Sequence, residues 1–218
     1  MTTDSRYKIP RNATALKNMK LYDAAINFEL NPLKLLVPNF GRIIAWYDNN
    51  AMVEQEPESI DFLTWLKTSP SGIQISNVII QIILAYGTAH DIIGLILQDI
   101  SLSDISLKPA KYKYIRYTYD NDIYYVQTFG YTARINPTNA SSLRFPLHKD
   151  NKIGVIENLI LQVLSHTNNA MIRDIYMLMV SVSQTVSFGE IVQSIANFYP
   201  KEALFKEHVS TEDVYHEE

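Results

Sequence analysis

Apolar residues recur at helical spacing in three stretches of the chain. In residues 57–72 they share one face, which predicts a helix that begins near Pro57 and ends at the turn-forming sequence SPSG. In residues 153–166 they follow an i, i+1, i+4, i+5 stripe made of Val155, Ile156, Leu159, Ile160, Val163 and Leu164. Ser187 and Glu190 form an S-x-x-E capping box, which predicts a last helix that Pro200 closes.

Two other apolar stretches lack a clear polar face. The isoleucine-rich stretch 76–101 favours strand by residue type and helix by length. A single strand of that length would be unusual, so we predict two buried helices, 77–86 and 89–100, hinged at Tyr86-Gly87-Thr88. Residues 170–184 are apolar nearly all round, which predicts a central helix.

A tyrosine-rich segment separates the helical regions: residues 111–131 hold seven of the chain's fourteen tyrosines. Tyrosine is among the best strand formers, and a two-residue turn within Asp120-Asn121-Asp122 pairs residues 111–119 with 123–131. Side chains alternate across a strand, so the hairpin has two faces. The first contains Tyr112, Tyr114, Arg116, Thr118, Ile123, Tyr125, Gln127, Phe129 and Tyr131; the second contains Lys111, Lys113, Ile115, Tyr117, Tyr119, Tyr124, Val126 and Thr128. A three-residue loop would mix these faces, and the sequence leaves that alternative open.

Together these elements predict an α+β protein that is predominantly α-helical, with helical groups on either side of one antiparallel tyrosine-rich hairpin at about 111–131. The predicted regions are a basic N-terminal arm (1–20), a helical lobe with the hairpin (21–135), a C-terminal helical lobe (153–200) and an acidic tail (201–218). The polar loop at 136–152 is the predicted boundary between the lobes.

The composition limits the class of protein and its expected location. The 218 residues are 47% hydrophobic, enough for a real core, and contain no cysteine, which excludes disulfides and thiolate metal sites. The N-terminus lacks the apolar region of a signal peptide, and polar residues interrupt the longest apolar stretch. We therefore expect no membrane span and a cytoplasmic or virion location.

The net charge of −4 is unevenly distributed. The N-terminal arm carries five basic residues against Asp4, whereas the acidic tail carries six acidic residues against two lysines. Oppositely charged ends can reach nucleic acid, each other or a neighbouring copy. Solvated, frayed termini are the alternative.

The first face of the hairpin is an aromatic platform around one arginine and one glutamine, a composition typical of surfaces that stack unpaired bases. The candidate nucleic-acid-binding residues are Lys111, Tyr112, Lys113, Tyr114, Arg116, Tyr125, Gln127, Phe129 and Tyr131, with Arg6, Lys8 and Arg11 of the arm. The alternative is packing, because cross-strand aromatic pairs stabilise hairpins without any ligand. At least one face has to pack on the helices, because a lone hairpin is marginally stable in water.

The sequence shows no motif of a common enzyme. It lacks the glycine-rich phosphate loops, the nucleophile elbow and the H-E-x-x-H zinc pattern, and its five histidines lack metal-ligand spacing. Asp91 follows His90, and we predict that it caps the second isoleucine-rich helix rather than forming an acid–base pair. Arg173 and Asp174 are adjacent on a helix, so separate partners are expected for them. No catalytic residue, metal site or cofactor is predicted.

These observations favour a non-enzymatic assembly subunit that binds copies of itself through its N-terminal arm and C-terminal tail, such as a viral coat, nucleocapsid or matrix protein. The alternative is a protein that binds RNA or single-stranded nucleic acid through the hairpin and the basic arm. Its net acidity is unusual for that class.

Overall fold

The computed structural model describes residues 13–16, 33, 37–40, 43–47, 50–54, 59–97, 99–119, 122–136, 140–143, 152–181, 186–197, 205–206 and 211–214. Most of the predicted N-terminal arm, including Arg6, Lys8 and Arg11, lies outside these residues. Of the arm, the structure describes the backbone of residues 13–16, which form a strand.

The described residues combine helices with antiparallel strands, which confirms the predicted α+β class. The helices are α1 (Phe62–Leu66), α2 (Gly72–Ile93), α3 (Lys152–Leu164), α4 (Ala170–Ser181) and α5 (Phe188–Ala196). The strands are β1 (Ala13–Leu16), β2 (Ile43–Tyr47), β3 (Asn50–Glu54), β4 (Ile60–Asp61), β5 (Leu95–Leu97), β6 (Ile105–Pro109), β7 (Tyr114–Tyr119), β8 (Asp122–Gln127), β9 (Tyr131–Ile135), β10 (Ala140–Leu143) and β11 (Phe205–Lys206).

The α2 helix is the centre of the fold. Ser71 and Gln74 form a capping box at its start, and Gly94 ends it in the left-handed conformation, with φ of 68°. The helix continues through Gly87, so the predicted hinge and the predicted pair 77–86 and 89–100 are wrong. It packs against β5, β7, β8 and β9 on the sheet side and against α4 and α5.

The surroundings of Gly87 show why a glycine lies within a continuous helix. A Cβ atom at this position would lie 2.9 Å from Cδ2 of Phe188 and 2.9 Å from Cε2 of Tyr119. The residue is therefore glycine because α5 and the hairpin approach the helix closely there. Close packing, and not a turn, accounts for it.

Some strands that are far apart in sequence pair with each other, such as β5 with β10 and β8 with β11. The described sheets have the orders β1-β3-β2, β10-β5, β11-β8-β7 and β4-β6-β9. The predicted hairpin is thus one part of a larger set of antiparallel strands. The strand β10 lies inside the predicted polar loop at 136–152 and pairs with β5, which directly follows α2.

The later helices agree in part with the sequence patterns. The stripe of α3 is buried as predicted, except that Leu164 is half-buried. The capping box of Ser187 and Glu190 opens α5. The α1 helix is shorter than predicted, because it begins at Phe62 with Asp61 as its N-cap rather than near Pro57.

The α4 helix corrects a prediction. It is amphipathic and peripheral, with Ile172, Ile175 and Met179 buried but Met177 and Val180 exposed. Methionine and valine on its outer side made the sequence appear apolar all round. Arg173 and Asp174 are both exposed, and Arg173 Nη2 donates to Oδ1 of Asn168, which is a partner other than Asp174.

One hydrophobic core cluster contains side chains from both predicted lobes, 21–135 and 153–200. By length and composition α2 could cross a membrane, yet 83% of its most apolar window is buried inside the protein. Such burial is the ordinary state of a helix at the centre of a folded domain.

Candidate functional site

The hairpin β7-β8 has the pairing that the two-residue turn predicts. Tyr114 pairs with Gln127, and the ladder runs to the pair Tyr119 and Asp122, which leaves two residues between the strands. Residues opposite each other share a face, so the two predicted faces are correct for the paired residues.

The hairpin is shorter than predicted, and the candidate residues at its ends lie elsewhere. Lys111, Tyr112 and Lys113 precede β7. Phe129 and Gly130 have φ of 47° and 88°, and Tyr131 N–H donates to Thr128 O at 2.9 Å. This type I′-like turn leads the chain into β9, which belongs to the sheet β4-β6-β9.

The second face is the inner face of the hairpin. Its side chains Ile115, Tyr117, Tyr119, Tyr124 and Val126 are buried, and both strands pack on α2. Packing therefore accounts for this half of the aromatic residues.

The first face is directed outward, and we call its paired residues the outer face: Tyr114, Arg116, Thr118, Ile123, Tyr125 and Gln127. Arg116, Thr118 and Ile123 are exposed, while Tyr125 and Gln127 are half-buried. Tyr114 is the exception, because only 2% of it is accessible. The outer face is thus a mixed surface, less aromatic than the sequence predicted.

Four further candidate residues, Lys111, Tyr112, Lys113 and Phe129, lie just before β7 or just after β8 in the chain. Lys111 and Lys113 are exposed, Tyr112 and Phe129 are half-buried, and Nζ of Lys113 lies 5.8 Å from the ring centroid of Tyr114. Tyr131 is half-buried and packs edge-on against Trp65, with centroids 5.8 Å apart. Tyr131 is therefore part of the core margin and is separate from the outer face.

The C-terminal segment meets this sheet at both edges. On one side β11 pairs with β8, with Phe205 opposite Val126 and Lys206 opposite Tyr125. On the other side Val214 forms a parallel bridge with Tyr114 and is itself 4% accessible. Part of the predicted acidic tail is thus attached to the two edges of the sheet that contains the hairpin.

Beneath the inner face lies a buried polar group that the sequence pattern did not reveal. The Tyr117 hydroxyl donates to Asn39 Oδ1 at 2.7 Å, and Asn39 Nδ2 donates to Ala133 O at 2.8 Å. Burial raises the pKa of Tyr117 well above its usual range. Neither residue belongs to a motif, and their spacing of 78 residues gives no local signal.

A second amide continues this pattern along β9. Gln81 Oε1 accepts from Ala133 N–H at 2.9 Å, and Gln81 Nε2 donates to Tyr131 O at 3.2 Å. Ile135 N–H donates to Asn39 O at 2.6 Å. The outer edge of β9 is therefore hydrogen-bonded by Gln81 and by the side chain and backbone of Asn39.

His90 and Asp91 occupy a different position from the predicted one. Both lie in the last turn of α2, with Nδ1 of His90 2.9 Å from Oδ1 of Asp91. Asp91 therefore does not cap a second helix, because none begins there. Within the described residues no group of three or more His, Asp or Glu side chains is placed to hold a metal ion.

Searches with this chain against protein-family models and against curated proteins find no match.

Proposed function

We propose that the protein is a non-enzymatic assembly subunit that self-associates through its terminal arms, with the hairpin sheet as the docking place of the C-terminal arm. The observation that carries this proposal is the addition of β11 to β8. Strand addition uses backbone groups, so the same strand from a neighbouring copy can make the same contact.

The connection between α5 and β11 is long enough for β11 to pair with its own hairpin or with that of a neighbouring copy. Nine residue steps separate Ala196, the end of α5, from Phe205 in β11. They span up to about 30 Å when fully extended. A reach of that size allows the arm to pair with its own hairpin or with an adjacent one. Exchange between identical subunits closes rings or extends filaments, depending on the rotation between neighbours.

Light scattering coupled to size exclusion tests self-association on the full-length protein. We expect a mass that is a multiple of 25.0 kDa. Phe205→Pro and Lys206→Pro form a matched pair, because in an antiparallel strand only alternate N–H groups point to a given neighbour. The variant whose proline replaces an N–H that points to β8 loses a hydrogen bond and is expected to shift the mass distribution towards monomer. The other variant replaces an N–H that points away from β8 and is the control. A full-length protein that is monomeric at every concentration contradicts the proposal.

A second candidate, binding of RNA or single-stranded nucleic acid, is supported by the outward direction of the outer face. Arg116, Lys111 and Lys113 are exposed beside the half-buried rings of Tyr112 and Tyr125. Rings and cations in this combination suit stacked bases and phosphates. The ratio of absorbance at 260 and 280 nm in the same chromatogram tests it. Bound nucleic acid that is lost as salt rises supports this candidate, and a pure protein spectrum counts against it.

A further inference from the structure

We infer that the edge of β7 that faces away from β8 is a binding site for β7 of a second copy of this chain, and that the two strands pair antiparallel about a two-fold axis at Tyr117. The contact goes beyond the proposed exchange of arms. It uses the opposite edge of the sheet from the one that β11 covers, so it does not depend on the arm.

The first observation is the direction of the backbone groups of β7. Thr128 N–H donates to Lys113 O at 2.9 Å, which fixes the alternation along the ladder of the hairpin. In an antiparallel pair every second residue directs both its N–H and its C=O to the partner strand. The residues at 115, 117 and 119 therefore bond to β8, whereas Arg116 and Thr118 direct their backbone groups to the opposite side.

The second observation is that this edge is open within the described part of the chain. The strand β7 is the last in the order β11-β8-β7, and the parallel bridge of Val214 reaches it at Tyr114. From residue 115 to 119, β8 is the strand that pairs with β7 among the described residues, and Arg116 and Thr118 are exposed. The edge of β9, in contrast, is hydrogen-bonded by side chains. An open edge of this kind is a template for another strand.

The third observation is that one register makes the edge complementary to itself. With the axis at Tyr117, Arg116 of each copy lies opposite Thr118 of the other, and each of these pairs exchanges both of its backbone hydrogen bonds. All five residues from 115 to 119 take part. A shift of the second strand by two residues places Arg116 opposite Arg116, which like charges disfavour, and the opposite shift leaves three residues of each strand in the contact.

The charges of the hairpin favour a second copy in the same orientation. Lys111 and Lys113 are exposed at the open end of the hairpin, and Asp122 is exposed at its turn. Antiparallel pairing about Tyr117 brings the turn of each hairpin alongside Lys113 of the other. Opposite charges therefore approach each other twice, within the range of about 10 Å over which they attract at moderate salt.

Single cysteines test the contact and its register, because the full-length chain contains no cysteine of its own. Opposite residues of such a pair have Cα atoms about 5.5 Å apart, within the range of about 4.4–6.8 Å that a disulfide spans. Diagonal neighbours are about 7–8 Å apart, beyond that range. An equal mixture of the Arg116→Cys and Thr118→Cys proteins is therefore expected to form disulfide-linked dimers under mild oxidation, and each variant alone is expected to form several-fold fewer.

Non-reducing electrophoresis measures the yield of these dimers. Lys67→Cys, which replaces an exposed residue after α1, is the control for random collision. A mixture that yields no more dimer than Lys67→Cys overturns the inference. A yield as high in either single variant as in the mixture overturns the register.

A second pair of variants tests the backbone groups. Thr118→Pro removes an N–H that points away from β8, so the ladder within the hairpin is kept, and proline is tolerated on edge strands in this orientation. Two hydrogen bonds are lost per dimer, which is expected to raise the dissociation constant about 5- to 100-fold in sedimentation equilibrium. Thr118→Val keeps the N–H and is expected to leave the constant within about 2-fold. Equal constants for the two variants contradict pairing at this edge, and circular dichroism checks that both keep the fold.

The outcome is separate from that of the proposed function. Arm exchange takes place at β8, so an oligomer that yields no disulfide between positions 116 and 118 contradicts this inference and leaves arm exchange standing. Disulfide dimers that form equally in the presence of Phe205→Pro and Lys206→Pro support this contact without any support for arm exchange.

Discussion

At the scale of single residues, the Tyr117 hydroxyl links the hairpin to β9 through Asn39. It joins β7 to Asn39, and Asn39 joins β9 through Nδ2 and its backbone carbonyl. All three groups are buried, so none can exchange its partner for water. A buried acceptor that loses its donor pays the full cost of desolvation.

We predict that Tyr117→Phe lowers the free energy of unfolding by about 1–3 kcal/mol, because Asn39 Oδ1 loses this donor. Urea denaturation measures the change. Tyr125→Phe, which removes a hydroxyl from the half-buried outer face, is the matched control and is expected to change stability by less than about 0.5 kcal/mol. Equal effects of the two substitutions would contradict the role given to Asn39.

The raised pKa of Tyr117 predicts that the stability difference between the wild type and Tyr117→Phe depends on pH. An unfolded tyrosine ionises near pH 10. Because the folded pKa lies above that value, the contribution of Tyr117 to stability is complete below about pH 10 and is lost as pH rises further. The Tyr117→Phe variant lacks this loss, so the two stabilities should converge between about pH 10 and pH 11. If the stabilities of the two proteins kept a constant difference over this pH range, the buried hydroxyl of Tyr117 would not be the cause of the wild type's loss of stability.

At the scale of elements, α2 is a single helix, and α5 and the hairpin pack closely against it at Gly87. Phe188 of α5 and Tyr119 of β7 meet there, and the Phe188 ring also lies 5.3 Å from the ring centroid of Tyr86. The isoleucines of α2 favour strand by propensity, but their side chains fill a core shared by sheets and helices. Tertiary packing therefore overrides local preference.

We predict that Gly87→Ala destabilises the protein by about 1–3 kcal/mol through overpacking, although alanine favours helix by about 1 kcal/mol. Phe188→Leu should relieve the contact, so the double variant is expected to lose less stability than the two single losses together. A double-mutant cycle by urea denaturation measures this coupling. A stabilising Gly87→Ala would indicate that the three elements are further apart than described.

Local signals in the sequence identified some elements and missed others for physical reasons. The capping box of α5 and the stripe of α3 are short-range patterns, and both are found in the structure. The strands β5 and β10 are stabilised by pairing over more than forty residues, which local patterns do not encode. The peripheral position of α4 depends on which neighbours are present, and its sequence alone resembles a central helix.

At the scale of the whole molecule, one core spans the described parts of both predicted lobes. Trp65 of α1 is buried in the same cluster as Ile191 of α5, and α2 contacts elements from both regions. The faces of the hairpin followed from strand alternation alone. The burial of Tyr114 did not, because its bridge partner Val214 is a hundred residues away.

The shared core predicts a single cooperative unfolding transition. In a Trp46→Phe variant, which leaves Trp65 as the fluorescent tryptophan, the urea curves by fluorescence and by circular dichroism should coincide. Two separated transitions would instead support lobes that unfold independently.

The hydrogen-bonded edge of β9 has a consequence for how molecules behave when crowded. A bare strand edge recruits further strands and starts aggregation. Here Gln81 and Asn39 hold the groups of Tyr131, Ala133 and Ile135 that such recruitment would use. We therefore expect these two amide residues to keep the edge of β9 from pairing with strands of other molecules.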